Sequence, residues 1–416
     1  MKPKILYYSD CYFFGGCENM IVNFLSDSTI NKEFRVYFGY NYSEIYEQGL
    51  KQRVQTADKY IHPLNLIKQV RYVKSDGSKL ASIINKVFYS VYIPLNKYFS
   101  IIVNTLLLAI KIRKIDPDIL HINNGGYPAA YSCYSAVFAA KLTGIKHVVY
   151  VVNNLAEDYK HPFRWFDYIL DTIIIKSVDK FVTGSDYAKT RLLNVLNIEK
   201  EKAHTINNGV RKRNVTISRD DFKSKYSIPF DRKVFSVVAN LEKRKGHIFL
   251  LKAMVQIKEN DYKNRCPFLV IEGSGPEKKV LQKFITDNNL TSDVLMIDYV
   301  SEIFNLYNAS DVIVLPSINN EDFPNVVIEA MSLGKPVIGT HIAGIPEQIV
   351  DYETGLIVEP ASVEDLCKAI VKLNNNPELI SSMSKSAEHL YNQKYRVSCS
   401  TKKYFNIYRS LMSNKK

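Results

Sequence analysis

The chain has 416 residues, enough for two domains of about 200 residues that each bury their own hydrophobic core. Hydrophobic residues make up 46% and charged residues 23%, proportions that fit a soluble globular protein rather than a disordered or fibrous one. The net charge of +13 is unevenly distributed along the chain.

The six cysteines form no Cys-x-x-Cys pair and no cluster with histidine, which indicates a reducing cytosol and argues against a structural zinc. They are Cys11, Cys17, Cys133, Cys266, Cys367 and Cys399. The N-terminal sequence MKPKILYYSD enters a strand pattern directly, so we expect no signal peptide. We also expect no segment with the ~18 apolar residues that a membrane span needs, and hence a cytoplasmic protein.

Most of the positive charge lies between Lys51 and Lys114. This stretch contains twelve Lys or Arg and two Asp, which gives it a net charge of +10. Aromatic and aliphatic residues are mixed with these lysines, a composition that suits a face on anionic lipid. For residues 101–110 we favour a core helix of the first domain. The tyrosine-rich segment before them stays open between peripheral membrane contact and a solvated surface. Nucleic acid is a weaker interpretation, because no binding motif accompanies the charge.

Strand and helix signals alternate up to about residue 210, as in a doubly wound parallel α/β sheet. The first strand covers residues 4–8, and Gly15 and Gly16 follow at the turn into a helix, where glycines let a ligand approach the backbone. Two later strands end in the asparagine-containing loops NNGGYP and NNLAEDY. We expect a structural role for His121, which lies near a strand end.

The charged segment 211–232 is predicted to link the domains. The second domain then opens with a buried strand, a basic loop that contains Lys245, and a helix, which together place a cationic loop at a strand's carboxyl end. A solvated basic turn is the alternative interpretation. Gly273 and Gly275 form another strand-to-helix turn, which alone indicates little about function.

The most informative stretch is residues 311–346, DVIVLPSINNEDFPNVVIEAMSLGKPVIGTHIAGIP. Its first apolar run predicts a buried strand that ends at Pro316, and a polar loop follows. Pro324 is predicted at the first position of a helix that ends at Gly334, ahead of a second buried strand. The stretch therefore predicts a strand, loop, helix, strand unit of a parallel sheet.

Two carboxylates flank the junction between this loop and helix. Glu321 lies at the carboxyl end of a strand, where open α/β sheets bind ligands, and Glu329 lies more than a turn inside the helix. Between them, the backbone N–H groups at the start of the helix and its dipole suit a phosphate. The residues concerned are Phe323, Pro324, Asn325 and Val326. A carboxylate on either side of a phosphate site suits a nucleotide-sugar, whereas two Glu residues on a solvated face are the alternative.

The segment EDFPNVVIEAMSLGKPVIGT, followed by AGIPE, resembles the signature of the retaining GT-B glycosyltransferases of family 4. The resemblance is strong over about residues 234–370 and loose over the first domain. It implies a GT-B fold, in which two Rossmann-like parallel-sheet domains face each other across a cleft. We set an acceptor-binding domain at residues 1–213, a nucleotide-sugar-binding domain at 214–394, and at 395–416 a terminal helix that returns to the first domain.

The resemblance implies that Glu321 bonds the donor sugar, Glu329 bonds the ribose and Lys245 neutralises the diphosphate. Further positions match the family's donor site by the same comparison: Gly15 and Gly16 at the phosphate, Gly273 and Gly275 beside the cleft, and Tyr299 and Val300 next to the base.

The chain departs from the family pattern at two donor-binding positions. Asn240 replaces the usual Arg five residues before Lys245, so part of the positive charge must come from Arg244 or Lys243. Asn153, followed by Asn154, stands near the place of a family histidine that contacts the donor sugar.

The family keeps the anomeric configuration of the sugar, and no nucleophile is evident in the sequence, so we favour front-side attack. The sequence predicts no cofactor and no metal, since Asp116 and Asp118 form the only Asp-x-Asp and precede a strand. We expect transfer from a UDP- or GDP-sugar to a glycan or polyprenyl-linked acceptor in cell-surface polysaccharide synthesis, such as capsule or lipopolysaccharide. A non-catalytic, nucleotide-sugar-binding partner subunit is the alternative; a 2-epimerase or phosphorylase on the same fold is disfavoured.

Overall fold

The computed structural model describes residues 2–11, 15–54, 60–68, 79–160, 164–259, 266–300 and 302–413; for residues 17 and 79–91 it describes the backbone alone. The chain forms two compact units, each with its own parallel sheet, which confirms the predicted fold class. Unit 1 comprises Met1–Gly184, Ala188–Ile206 and Thr401–Lys416, and unit 2 comprises Ser185–Tyr187 and Asn207–Ser400.

Unit 1 is built on a seven-stranded sheet in which every pair of neighbours is parallel. Its strands are β1 (Lys4–Ser9), β2 (Arg35–Asn41), β3 (Ile61–Leu64), β4 (Ile119–Asn124), β5 (His147–Val152), β6 (Lys180–Thr183) and β7 (Ala203–Thr205). They lie in the order β3-β2-β1-β4-β5-β6-β7. The central strands are buried on both faces, as expected of a parallel sheet covered by helices on each side.

Helices cover both faces of this sheet. They are α1 (Gly16–Ser26), α2 (Ser28–Glu33), α3 (Glu44–Lys51), α4 (Lys79–Ile115), α5 (Ser132–Thr143), α6 (Tyr168–Ser177) and α7 (Asp186–Leu196), which belongs to unit 1 from Ala188 onward. One hydrophobic cluster packs α4, α5 and α6 against the sheet, and a second includes residues of α1, α2 and α3. The carboxyl ends of the parallel strands therefore meet at one edge, where the loops that carry polar residues begin.

Helix α4 corrects two expectations, because it runs for 37 residues rather than residues 101–110 alone. Its segment Tyr92–Ile115 is long and apolar enough to span a membrane by length and composition, with a mean hydropathy of 1.5. The expectation that no such segment exists is therefore wrong. Lys97 and Asn104 interrupt the apolar run in the sequence, but both side chains are buried in the structure.

Unit 2 is built on a six-stranded parallel sheet. Its strands are β8 (Val234–Val238), β9 (Phe268–Glu272), β10 (Val294–Ile297), β11 (Val312–Leu315), β12 (Val337–Thr340) and β13 (Gly355–Val358), in the order β10-β9-β8-β11-β12-β13. The buried strands predicted on both sides of the Glu321 loop are β11 and β12, which pair directly.

The helices of unit 2 pack on both faces of its sheet in three hydrophobic clusters. They are α8 (Arg219–Lys225), α9 (His247–Glu259), α10 (Lys278–Asp287), α11 (Ile303–Ala309), α12 (Asn325–Ser332), α13 (Ile345–Gln348), α14 (Val363–Asn375), α15 (Pro377–Leu390) and α16 (Val397–Ser413). From Thr401 onward, α16 belongs to unit 1, where its aromatic residues join the second cluster.

The described contacts divide the chain between Ile206 and Asn207, whereas the boundary predicted from the sequence lies after residue 213. Residues from Asn207 group with unit 2 because Val210 joins a cluster of that unit and its N–H donates to the Tyr395 carbonyl at 2.9 Å. The segment predicted as a linker also contains α8, whose N-terminus is capped by Ser218.

Candidate active site

The basic turn of unit 2 packs directly against the loop after β11. Lys243–Lys245 form a 3-10 turn after β8, and Gly246 closes it with a left-handed φ of 70°. A Cβ atom at Gly246 would lie 1.9 Å from the carbonyl oxygen of Pro316. Glycine is therefore required here, and its closeness to β11 brings the buried Lys245 side chain to that loop.

Glu321 lies in this loop and forms an ion pair with Lys245, between Oε2 and Nζ. The same carboxylate oxygen accepts a hydrogen bond from Ser317 Oγ at 3.1 Å and lies 3.7 Å from Nη1 of Arg244. The Ile318 N–H donates a hydrogen bond of 2.8 Å to the Arg244 carbonyl, which joins the loop after β11 to the basic turn. Two residues predicted from separate motifs thus meet at the carboxyl edge of the sheet.

The junction between loop and helix is held from two sides. α12 begins at Asn325 with Pro324 as its N-cap, one residue later than predicted. The Pro324 carbonyl accepts a hydrogen bond from Gln348 at 3.1 Å, and the Phe323 ring packs against Tyr395 with centroids 6.0 Å apart. The helix start is therefore fixed beside Glu321, and its positive dipole end favours an anion.

Glu329 lies further along α12 and accepts a hydrogen bond of 2.9 Å from the hydroxyl of Tyr307. Tyr307 is fully buried, and burial together with the Glu329 charge raises its pKa well above the ordinary value. The Tyr307 hydroxyl therefore stays protonated and acts as a donor that orients Glu329.

A further carboxylate, which sequence reasoning missed, belongs to Glu272 at the end of β9. Burial raises the pKa of Glu272, and the charge of Glu329 raises it further. The Val300 N–H donates to Glu272 at 3.0 Å, which opposes that shift. Glu272 thus fixes the backbone of the loop that the resemblance places next to the base, while the neighbouring Tyr299 ring is 70% exposed. An acidic residue at the end of a buried strand was the available signal.

The other predicted residues of unit 2 lie along the same edge. Gly273 and Gly275 form the turn after β9, and the Ser274 carbonyl between them accepts the Leu241 N–H at 2.9 Å. Val326 lies half-buried in the first turn of α12.

Because Asn240 stands where the family pattern has an arginine, this position lacks a positive charge, and Arg244 lies where it could supply one. Asn240 is exposed, and Lys243 is exposed as well. Arg244, by contrast, donates to Glu242 at 2.7 Å and reaches toward Glu321. Of the two residues that the sequence left open, Arg244 is the one beside the carboxylate.

Unit 1 contains a cavity of about 650 Å³ at the carboxyl ends of β1, β2 and β4. The cavity is lined by the last residue of each of these strands, namely Ser9, Asn41 and Asn124. Asp10 also lines the cavity and accepts hydrogen bonds from Ser132 Oγ and, at 3.1 Å, from Asn41 Nδ2. Hydroxyl, amide and carboxylate groups thus converge on one concave site, which suits a ligand with many hydroxyl groups.

Glu18 lies in the wall of this cavity, in the first turn of α1. Gly15 is the N-cap of that helix and Gly16 its first residue, and the Gly15 N–H donates to Glu18 at 3.4 Å. Ser9 Oγ also donates to Glu18, at 3.0 Å. Burial nevertheless raises the pKa of Glu18 to about 7. The carboxyl group of Glu18 therefore changes its protonation close to neutral pH.

Asn153 connects two strands of unit 1. Its side-chain nitrogen donates to Asn123 Oδ1 and to the Asn124 carbonyl, each at 2.8 Å, which ties the end of β5 to the end of β4. His121 is fully buried, shares a hydrogen bond of 2.8 Å with Tyr408, and has its pKa lowered by burial to about 3. A neutral His121 fits the structural role expected for it.

Within the described part of the chain, no group of three or more His, Cys, Asp or Glu side chains could hold a metal ion. The predicted turn at Asp116 and Asp118 has a backbone role. Asp118 accepts the Lys4 N–H at 2.8 Å, at the start of β4 and β1.

The predicted site residues therefore divide between the units. Gly15, Gly16 and Asn153 belong to unit 1, and all the others belong to unit 2, where Lys245 and Glu321 are in direct contact. Sequence reasoning missed Glu272, Tyr307 and the cavity of unit 1, because each depends on contacts between distant segments.

Two family models match the chain. The model for glycosyl transferases group 1 covers residues 218–390, and that for Glycosyltransferase Family 4 covers residues 70–213. The capsular polysaccharide biosynthesis glycosyltransferase CapM of Staphylococcus aureus is 28% identical over 323 residues, 74% of this chain and 81% of that protein.

Another relative is the UDP-Gal:alpha-D-GlcNAc-diphosphoundecaprenol alpha-1,3-galactosyltransferase of Escherichia coli, 24% identical over 67% of this chain and 72% of that protein. Among solved structures, Anabaena HepE in complex with UDP superposes with a TM-score of 0.74 and 16% identity, covering 98% of this chain and 100% of that one.

The chain has a GT-B glycosyltransferase fold. This follows from its two α/β domains, whose parallel sheets have these strand orders, and from its likeness to solved structures. The chain belongs to the glycosyl transferases group 1 family, of the family 4 type.

Proposed function

We propose that this chain is a retaining glycosyltransferase that moves a sugar from a UDP-sugar to a glycan or polyprenyl-linked saccharide in cell-surface polysaccharide synthesis. The observation that carries the proposal is the contact of Lys245 with Glu321 at the start of α12, with Glu329 further along the same helix. A cation and a helix N-terminus suit a diphosphate, and the two carboxylates suit sugar and ribose hydroxyls. UDP is favoured over GDP because HepE was solved with UDP.

Donor binding would rearrange the Lys245–Glu321 pair. Sugar hydroxyls that donate to Glu321 compete with Lys245 for the same carboxylate oxygen, which leaves the ammonium group for the diphosphate. Arg244, beside Glu321, supplies the second positive charge. Tyr307 and Glu272 keep Glu329 and the Val300 backbone in place for the nucleoside. These groups lower the barrier by orienting the donor and stabilising the leaving diphosphate.

Front-side attack accounts for retention without an enzyme nucleophile. The acceptor hydroxyl attacks the anomeric carbon on the side that the diphosphate leaves, and the leaving phosphate oxygen takes the hydroxyl proton. Lys245, Arg244 and the N-terminus of α12 balance the charge that develops on that oxygen. The proposed reaction uses no cofactor and no metal.

The cavity of unit 1 is our candidate for the saccharide part of the acceptor. Asp10, Asn41 and Asn124 offer the acceptors and donors that sugar hydroxyls need. A polyprenyl-linked acceptor is suggested by the relative in Escherichia coli that acts on a diphosphoundecaprenol-linked sugar, and CapM suggests a capsule role. Such acceptors place the enzyme in the cytoplasm, at the inner face of the membrane.

Thermal unfolding with UDP, GDP, ADP and their sugars tests the donor site. We expect UDP to raise the midpoint by several degrees, since ligand at about 100 times its Kd adds roughly 2.7 kcal/mol of stability. Lys245→Ala and Glu329→Ala should lose this rise, whereas Lys243→Ala should keep it, because Lys243 is exposed in the same turn. A larger rise with GDP than with UDP would identify guanine, rather than uracil, as the base of the donor.

The reaction itself is tested by NMR of the anomeric proton in the product formed from the stabilising nucleotide-sugar. An inverted product would overturn the retaining mechanism. A protein that no nucleotide stabilises would contradict the donor site, and would favour a non-catalytic partner subunit instead.

A further inference from the structure

Helix α4 of unit 1 has its polarity reversed relative to an ordinary surface helix. Leu95, Phe99, Ile102, Leu106 and Ile110 recur every three or four residues, so they share one face, and each is between 57 and 64% exposed. We call these five residues the outer stripe. A helix that faced only water would carry polar groups there.

The polar side chains of the same helix are turned inward. Lys97, Ser100, Asn104 and Thr105 are at most 8% exposed. Asn104 accepts the Ile67 N–H at 2.8 Å, and both residues line the cavity of unit 1. The helix therefore places Asn104 at the candidate acceptor site and leaves apolar groups outside.

A second apolar surface lies at the turn Arg164–Asp167 and the start of α6. Trp165, Phe166, Tyr168 and Ile169 are between 45 and 72% exposed, and the Trp165 and Phe166 rings stack with centroids 3.6 Å apart. We call these four residues the aromatic patch. Tryptophan and tyrosine are the residues enriched where a membrane meets water.

Buried charges fasten the aromatic patch to α4. Asp167 is fully buried and bonds to Lys97 at 2.7 Å and to Tyr98 at 3.3 Å, next to Phe99 of the outer stripe. Arg164 pairs with Asp171 at 2.6 Å, which fixes the other side of the turn. The two apolar surfaces are thus neighbours in unit 1, and an ion network holds them in place.

The charge of this region suits an anionic surface. α4 contains six Lys or Arg and no Asp or Glu, and the exposed Arg113 and Lys114 lie in its last turn. Residues 51–114 hold most of the positive charge of the chain. Apolar side chains beside basic ones, with aromatic residues between, are the features of a helix that lies in a membrane interface.

We propose that the outer stripe and the aromatic patch dock unit 1 onto an anionic lipid bilayer, with α4 lying in the interface. α4 does not span the bilayer, because Leu108, Ile112 and Ile115 on its other face are part of the core. The inference deepens the proposed function, since a polyprenyl-linked acceptor is held at such a surface and α4 also lines the cavity.

Trp165 is the only tryptophan in the chain and therefore reports docking by itself. The full chain is mixed with vesicles of phosphatidylglycerol and phosphatidylcholine, or of phosphatidylcholine alone. We expect flotation with the anionic vesicles, a blue shift of tryptophan emission, and quenching by brominated acyl chains. Emission and flotation that are unchanged by anionic vesicles would overturn the proposal.

Substitutions on the outer stripe test which face docks. Ile102→Gln combined with Leu106→Gln should weaken vesicle binding about tenfold or more, because two apolar side chains no longer enter the bilayer. Val280→Gln, at a residue that is 55% exposed in unit 2, is the matched control and should bind as the unmodified protein does. Arg113→Gln with Lys114→Gln should weaken binding to anionic vesicles severalfold. Equal binding by the stripe variant and the control would contradict docking through this face.

The UDP-dependent rise in unfolding temperature, measured on the same samples, separates this inference from the proposed function. We expect the stripe variant to keep that rise, which also shows that it is folded. If the native chain does not bind vesicles but still responds to UDP, the docking surface alone is overturned. A UDP response that is absent while vesicle binding persists would overturn the proposed donor site alone. A dimer that the stripe variant abolishes, without vesicle binding, would identify an interface between copies and overturn the proposal.

Discussion

Lys245 and Glu321 neutralise each other at a largely buried position. Removing one partner leaves the other charge with little solvent around it, which costs more than a surface ion pair contributes. In the proposed reaction, phosphate oxygens of the donor take the place of the Glu321 carboxylate beside the Lys245 ammonium group. Motif spacing in the sequence predicted both residues, but it could not predict that they touch, because they lie 76 positions apart.

Glu18 makes the stability of unit 1 depend on pH. Its pKa is raised by burial to about 7, above the ordinary value of 4.5, so the folded state binds a proton that the unfolded state releases between these values. Stability therefore falls as the pH rises through this window, by about 3 kcal/mol for a shift of this size. Below the window, both states are protonated and the cost of the buried charge is absent.

Glu18→Gln removes this titration and keeps a neutral side chain of the same shape. We expect the variant to be more stable than the unmodified protein at about pH 8 and to have nearly equal stability at about pH 5. Denaturant unfolding at both pH values measures this difference. Glu44→Gln, at an exposed carboxylate of α3, is the control and should follow the unmodified protein. A Glu18→Gln variant that gains nothing at high pH would contradict a proton on native Glu18.

At the scale of elements, punctuation by proline and glycine made β11, α12 and β12 predictable. Pro316 directly follows β11 and Gly334 lies between α12 and β12, and the strands lie where the apolar runs predicted them. α4 was predicted far too short, because only the apolar residues 101–110 were assigned to it, whereas the helix also contains polar residues such as Lys97 that tertiary contacts bury. Contacts of that kind, like the cavity they line, are not encoded in local sequence patterns.

Gly246→Ala tests the packing of the basic turn against β11. The new Cβ atom would meet the Pro316 carbonyl oxygen at 1.9 Å and would also require a left-handed φ. We expect a loss of stability of at least about 2 kcal/mol and a weaker UDP response, because the Lys245 turn must move. Thermal unfolding with and without UDP measures both effects.

Gly144→Ala separates the two causes. Gly144 has a similar φ of 73°, but among the described residues no heavy atom beyond its own local backbone and chain neighbours lies within 4 Å of the Cβ position. This control should lose only about 1 kcal/mol, from the backbone conformation alone, and should keep the UDP response. Equal losses in the two variants would show that the contact with Pro316 carries no cost of its own.

For the whole molecule, each unit has its own hydrophobic core. The three clusters of unit 2 consist of residues within Asn207–Ser400, and so do Lys245, Glu272 and Glu329. The alternation of strands and helices was enough to predict two such α/β domains from the sequence. The sequence pattern could not locate the domain boundary to within a few residues, because Val210 joins unit 2 through a backbone hydrogen bond to the distant Tyr395.

The proposed donor site should therefore survive in isolation. We expect a fragment of residues 207–400 to unfold cooperatively and to gain several degrees with UDP, as the full chain does. It should be less stable than unit 2 in the full chain, since Asp186 and Tyr187, whose N–H groups donate to Glu347 at 2.8 Å, are missing. The fragment with Lys245→Ala is the control and should not respond to UDP. A folded fragment that ignores UDP, beside a full chain that responds, would show that nucleotide binding needs residues of unit 1, with Gly15 and Gly16 as the first candidates.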